Sequence, residues 1–228
     1  KISDLERPLV IKGIDIFLRD NMGIKVLEKI FGNNYGKART ISEIVSPLRP
    51  FGFRGYFIDD ERYKSTPDNL KYPIICYARG WKKGYIEKEI VEVRSEWIDQ
   101  WKLFTTRANN IGTELSDDNF NIRIGDPGTI CTESYMVIGA EEGFTRQEIE
   151  ALGKYLQTKF SRFLHSLAKG SQDATAKTYR FIPLQDFTSD SDIDWNNPII
   201  DIDEQLFEKY RLTSSEMKYI KNNIKKMA

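Results

Sequence analysis

Histidine and cysteine are nearly missing from this chain, and their scarcity excludes much chemistry. Among 228 residues there is one histidine, His165, and there are two cysteines, Cys76 and Cys131. Three such residues do not compose a zinc site, and two distant cysteines give no disulfide framework. A single histidine supports neither a Ser–His–Asp nor a Cys–His constellation. His165 falls in the middle of a helical pattern beside its apolar face, so it is expected to be structural rather than catalytic. No apolar run approaches the roughly 18 to 20 residues of a membrane span. The first residues, KISDLERPLVIK, lack the long apolar stretch and cleavage site of a signal peptide. The expected setting is reducing and cytoplasmic, and the start at Lys1 suggests a piece of a longer protein.

Nucleotide and metal-nuclease motifs are missing too. GNNYGK (32–37) has the wrong spacing for a phosphate loop, and no Ser or Thr follows Lys37. The sequence contains no G-x-G-x-x-G. The Glu216-Met217-Lys218 triplet sits in the final helix, far from Pro67-Asp68, and does not assemble a two-carboxylate nuclease centre.

What is present is an ordinary globular composition, 40% apolar and 30% charged, with zero formal net charge. That charge is unevenly spread. From Asp186 to Glu208 eight acids (Asp186, Asp190, Asp192, Asp194, Asp201, Asp203, Glu204 and Glu208) occur without one Lys or Arg. The remainder carries the compensating positive excess, so electroneutrality can hide a basic face.

The pattern predicts an α+β fold with a mixed, largely antiparallel sheet, one long packed helix and a small C-terminal helical segment. GIKVLEKIFG (23–32) has helical spacing and a glycine stop. YPIICYARG (72–80), YIEKEIVEV (85–93), WKLFTTRA (101–108), FNIRIG (120–125), TESYMVIGA (132–140) and YRFIPL (179–184) are expected strands. Thr145 and Glu148 form a capping box opening one helix that runs to Gly170. Thr213 and Glu216 open another after the helical run DIDEQLFEKY. The expected division is a recognition domain over 1–185, with a split near 40–50 as the alternative, then an acidic linker with helices over 186–228.

Basic, amide and aromatic side chains recur in predicted loops. Arg49, Phe51, Phe53, Arg54 and Tyr56 alternate across SPLRPFGFRG. Arg79, Trp81, Lys82 and Lys83 occupy a hairpin tip. Arg107, Asn109 and Asn110 follow a strand, and Lys169, Gln172, Lys177 and Arg180 surround the loop after Gly170. Cations neutralise phosphates, while Arg, Asn and Gln pair with base edges. Arg49, Arg54, Lys82, Lys83, Arg107, Lys169, Gln172, Lys177 and Arg180 are therefore the expected DNA contacts, acting collectively. Trp81 and Phe53 are candidates for wedging or stacking.

Three stretches carry a resemblance: ISEIVSPLRPFGFRG (41–55); the pair WKLFTTRANNIGTE and CTESYMVIG (101–139); and LQTKFSRFLHSLAKGSQDATAKTYRFIPLQDF (156–187) with the Tyr210, Leu212, Thr213, Glu216 pattern beyond it. They resemble the C-terminal target-recognition region of bacterial type II restriction-modification enzymes with an adenine-specific DNA methyltransferase. The catalytic core of that family carries an Asn-Pro-Pro-aromatic motif and a Gly-rich loop for S-adenosylmethionine. This sequence has no adjacent prolines, and FGFRG has the wrong glycine spacing. The resemblance thus implies double-stranded DNA as partner, no cofactor or metal in this chain, and S-adenosylmethionine and base flipping in the methyltransferase part of the parent enzyme. A module docking a partner subunit of the same system is the competing expectation, and a complete enzyme of another kind is a third.

Overall fold

The computed structural model describes residues 14–18, 20–32, 34–108, 120–170 and 173–225. Its architecture is α+β. Among the described residues are helices α1 (Asn21–Phe31), α2 (Arg146–Gln157), α3 (Lys159–Ala168), α4 (Ile199–Lys209) and α5 (Ser214–Asn223). The strands are β1 (Pro73–Ala78), β2 (Lys82–Glu87), β3 (Lys102–Thr106), β4 (Arg123–Gly125), β5 (Thr129–Cys131) and β6 (Tyr135–Ile138). No described helix is long and apolar enough to cross a membrane.

The strands form two three-stranded sheets, not one. In the order β2-β1-β5, β1 is antiparallel to β2 and parallel to β5. In the order β4-β3-β6 both pairings are antiparallel. The run expected as one strand over 132–140 is thus shorter, and the unexpected β5 precedes it. The chain leaves one sheet at Cys131 and enters the other at Tyr135.

Strands β3 and β6 are buried on both faces, while β4 keeps Arg123 exposed. Successive strand side chains point to opposite sides, and here each side has its own core. Leu103, Met136 and Ile138 join the helices' core with Leu27, Leu152 and Phe163. Phe104, Tyr135 and Val137 join a second core with Phe51, Ile74, Ile86 and Trp97. Burial on both faces explains why YMVI is an unbroken apolar run. Residues 186–225 share the first core through Ile202, Leu206, Phe207 and Ile220.

The one long helix expected from Thr145 to Gly170 is two helices. The opening box is as expected: Thr145 accepts from the Glu148 N–H, and Glu148 accepts from the Thr145 N–H at 2.7 Å. Thr158, in extended conformation (φ −60°, ψ 152°), then interrupts the chain and caps α3 by accepting the Ser161 N–H at 3.1 Å. No glycine or proline marks the break, because tertiary contacts hold it. The Asp203 carboxylate on α4 accepts the N–H groups of Lys159 and Phe160, at 2.9 and 2.8 Å. These are donors that a helix start leaves without partners.

YRFIPL is not a strand. A 3₁₀ turn over Ala176–Tyr179 leads to a single bridge, Thr40↔Pro183, beside the 3₁₀ turn Ile41–Ile44. Pro183 has no N–H to give to a ladder, and Tyr179 and Ile182 are buried in the helical core instead. His165 is buried there too, its Nε2 3.1 Å from the Thr178 hydroxyl. Burial pushes its imidazole down to about 3, and nearby Lys169 adds to this, so it is neutral at any ordinary pH.

Candidate nucleic-acid interface

The turn Thr132-Glu133-Ser134 crosses between the sheets and gathers the loops expected to bind DNA. The Thr132 N–H donates to the Tyr77 carbonyl at the end of β1, at 3.0 Å. The Glu133 N–H donates to the Phe53 carbonyl at 2.9 Å. The Ser134 carbonyl accepts the Arg107 N–H, just past β3, at 3.2 Å. Three segments far apart in sequence therefore end on three consecutive residues.

The loop over 46–55 is anchored at both ends. Ser46 donates its N–H to the Val137 carbonyl and accepts the Val137 N–H on its hydroxyl, at 2.8 and 2.9 Å. At the far end the Glu133 carboxylate accepts the Gly55 N–H and the Arg49 Nε, both at 3.0 Å. The Gly55 N–H, then Arg49, hold that carboxyl below its usual range. Arg49 has a left-handed backbone (φ 57°). Arg54 is exposed, close enough to Glu133 to act on its charge but not ion-paired. Phe53 does not project as a wedge; its ring packs on Phe57, centroids 4.2 Å apart.

The hairpin tip between β1 and β2 is tightly wound, with left-handed Gly80 (φ 72°) and Trp81 (φ 60°) in succession. For tryptophan that conformation costs on the order of 1–3 kcal/mol and persists where surroundings enforce it. Tyr135 enforces it. Its hydroxyl accepts the Trp81 N–H at 2.6 Å and donates to the Ala78 carbonyl at 3.0 Å. Its ring stacks on the indole at 3.9 Å and 16°. The Arg123 guanidinium lies over the same indole at 4.4 Å and over Tyr77 at 5.2 Å. Trp81 is thus held in a stack instead of free for a base. Lys83 sits opposite Tyr77 in the register and over the Tyr85 ring at 5.1 Å.

Of the expected contacts, Arg49, Arg54 and Arg107 lie on segments bonded to this turn, and Lys82 and Lys83 lie on the strand paired with the end of β1 that is bonded to it. Arg107 also pairs with Asp173 at 3.6 Å and accepts the Ala174 N–H on its carbonyl at 2.8 Å. Lys169 corrects an expectation: it is only 6% exposed, and burial pushes its amine down to about 8, so it is not a surface phosphate contact. Lys177 is exposed, but Arg180 pairs with Asp15 at 2.6 Å. Among the described residues no hydrogen bond or ion pair links Lys177 or Arg180 to the 132–134 turn. Gln172, Asn109 and Asn110 lie outside the described residues.

Sequence reasoning left Arg79 out of its contact set and missed Arg123 altogether. Arg54, Arg79, Lys82, Lys83 and Arg123 are all exposed, and none is in an ion pair among the described residues. The usable signal for Arg123 is an arginine at an alternating position of FNIRIG; its placement over Trp81 is purely tertiary.

Elsewhere, Arg180 lines a cleft of about 250 Å³ with Phe31, Tyr35, Thr40 and Glu43. That is small against the roughly 300–1,000 Å³ of small-molecule and cofactor sites. Among the described residues no group of three or more His, Cys, Asp or Glu is placed to hold a metal. No model of a known protein family matches this chain, and neither does any curated protein.

Proposed function

We propose that this chain recognises double-stranded DNA in a sequence-specific way, as the target-recognition part of a restriction-modification adenine methyltransferase. Methyl transfer, and with it S-adenosylmethionine, belongs in this reading to another part of the same enzyme. The observation that carries it is the grouping of five exposed cations, in no ion pair among the described residues, on the loop and hairpin tied to this turn (Arg54, Arg79, Lys82 and Lys83) and on the strand against that hairpin tip (Arg123). Exposed lysines elsewhere, such as Lys25, Lys64 and Lys218, are also outside ion pairs among the described residues, so the support lies in these five being gathered on neighbouring segments, as a polyanion requires. Loops fixed on a packed sheet are also how recognition residues are commonly displayed. The left-handed Arg49 and Trp81 add strain at this same place, a feature that clusters at functional sites.

Titrating a random duplex pool against salt tests this. The slope of log K against log salt should be steep, and it should shrink by about 0.9 for each phosphate-contacting cation replaced by alanine. Binding indifferent to salt, or to a partner protein with no duplex affinity, would favour the docking-module reading. Methyl transfer by this chain alone would overturn the division of labour.

A further inference from the structure

We infer that Arg123 is a base-reading side chain of this face, and that the base it reads is guanine. The inference rests on reading the face as a duplex interface. Three features single Arg123 out from the neighbouring cations.

The first is its support. Tyr135 is stacked on Trp81 at 3.9 Å, which leaves no room for a guanidinium on that side, so Arg123 takes the opposite face of the indole. Tyr135 is 3% exposed and bonded through its hydroxyl at two points, so the bottom of the stack belongs to the core. Tyr77, edge-on to Trp81 at 79°, closes another side. The second is vacancy of its donors. A guanidinium resting on a ring makes that contact through its face and keeps its N–H groups in the plane. No carboxylate among the described residues pairs with it, and the residue is exposed. The third is the contrast in head group with the exposed Lys82 and Lys83: Lys83 also lies over a ring, that of Tyr85 at 5.1 Å, but each ends in a compact ammonium and not a planar fork. A phosphate needs only a charge, which those lysines supply. A guanidinium fork held in one place by aromatic rings offers geometry as well. Two parallel donors in fixed position match O6 and N7 of guanine in the major groove, the commonest specific arginine contact.

The test uses the 228-residue chain and the duplex it selects from a random pool. Each guanine is replaced in turn by 7-deazaguanine, which removes the N7 acceptor and leaves pairing intact. At one position the wild-type chain should lose about tenfold or more in affinity. Arg123→Lys and Arg123→Ala should lose about ten- to a hundredfold on the intact duplex and be indifferent to the analogue at that position. Circular dichroism and thermal unfolding of Arg123→Lys, which keeps the charge, verify an intact fold. If Arg123→Ala weakens all sequences alike and lowers the salt slope by about 0.9, while Arg123→Lys keeps both slope and discrimination, Arg123 is a phosphate contact and the inference fails. It fails equally if the variants keep wild-type discrimination, while duplex binding by the wild type leaves the proposed function standing. A wild-type chain that binds no duplex overturns both.

Discussion

The carboxylate of Asp203 sits at the start of a helix that is not its own. It accepts the N–H of Phe160 at 2.8 Å and that of Lys159 at 2.9 Å, and only 5% of the residue is exposed. Together with the Thr158 cap, this residue of α4 holds the break between α2 and α3.

Burial pushes the Asp203 carboxyl up to about 6, against the pull of the two N–H groups. In the unfolded chain it returns toward 3.8. Between those values the folded state holds the extra proton, so stability falls as pH rises through this window. The contribution is full below about 3.8 and lost above about 6, on the order of 3 kcal/mol. Asp203→Asn cannot titrate. Its stability relative to wild type should therefore improve by about that amount from pH 4 to pH 7, as urea unfolding at both values would read. A constant difference would refute this.

Lys102 is fully buried on β3, its ammonium donating to the carbonyls of Trp97, Ile98 and Gln100 at 3.0, 3.0 and 2.7 Å. Burial pushes the amine down to about 8, from 10.5. Here the unfolded chain holds the extra proton between those values, so stability should climb with pH through that range. The wild type is expected to gain on the order of 3 kcal/mol relative to Lys102→Met between pH 8 and pH 10.5. Parallel stability curves for the two proteins would count against it.

Gly84 in β2 lies against the Tyr63 ring, whose Cζ is 2.2 Å from where a Cβ would stand. That ring is fixed by its hydroxyl, which donates to the carbonyls of Cys76 and Lys82 at 3.2 and 3.0 Å. Gly84→Ala must evict it and should cost about 1–3 kcal/mol. Adding Tyr63→Ala removes the clash, so the double variant should be more stable than the two costs summed. Strict additivity in thermal unfolding would show that the two residues do not touch.

Cys76 and Cys131 are both fully buried, and burial alone pushes the Cys76 thiol up to about 12. Since the thiolate is the nucleophile, neither should react with an aromatic disulfide reagent in the native protein. Two equivalents should appear on unfolding, at the unfolding rate. Fast labelling of either cysteine in native buffer would contradict their placement.

Locally encoded features were legible in the sequence. Thr145 with Glu148 and Thr213 with Glu216 open helices where those residues predict, since a capping box needs only four neighbouring residues. The α+β class followed from consecutive strand patterns in the middle of the chain and helical patterns after them. The break at Thr158 was hidden because Asp203, which accepts the Lys159 N–H just after it, is 44 residues from Lys159. The two-sheet division was hidden because an apolar run does not reveal which sheet it enters. For the candidate interface, loop cations such as Arg54 and Lys83 were legible as residue types in company. Arg123 was not, because its significance arises only where β4 meets Trp81, and Lys169 misled because a cation after a helix looks exposed until the core closes over it.

Strands β3 and β6 have no outside. Tyr135 faces one core and Met136, the next residue, faces the other. A shortened chain ending after Ile138 would lay Leu103, Met136 and Ile138 bare to water, so trimming away the helices to leave a minimal binder would ruin the platform beneath Trp81. The same adjacency makes the helical half a sounding board for the loops: a load placed on Tyr135 reaches the opposite core across a single peptide bond.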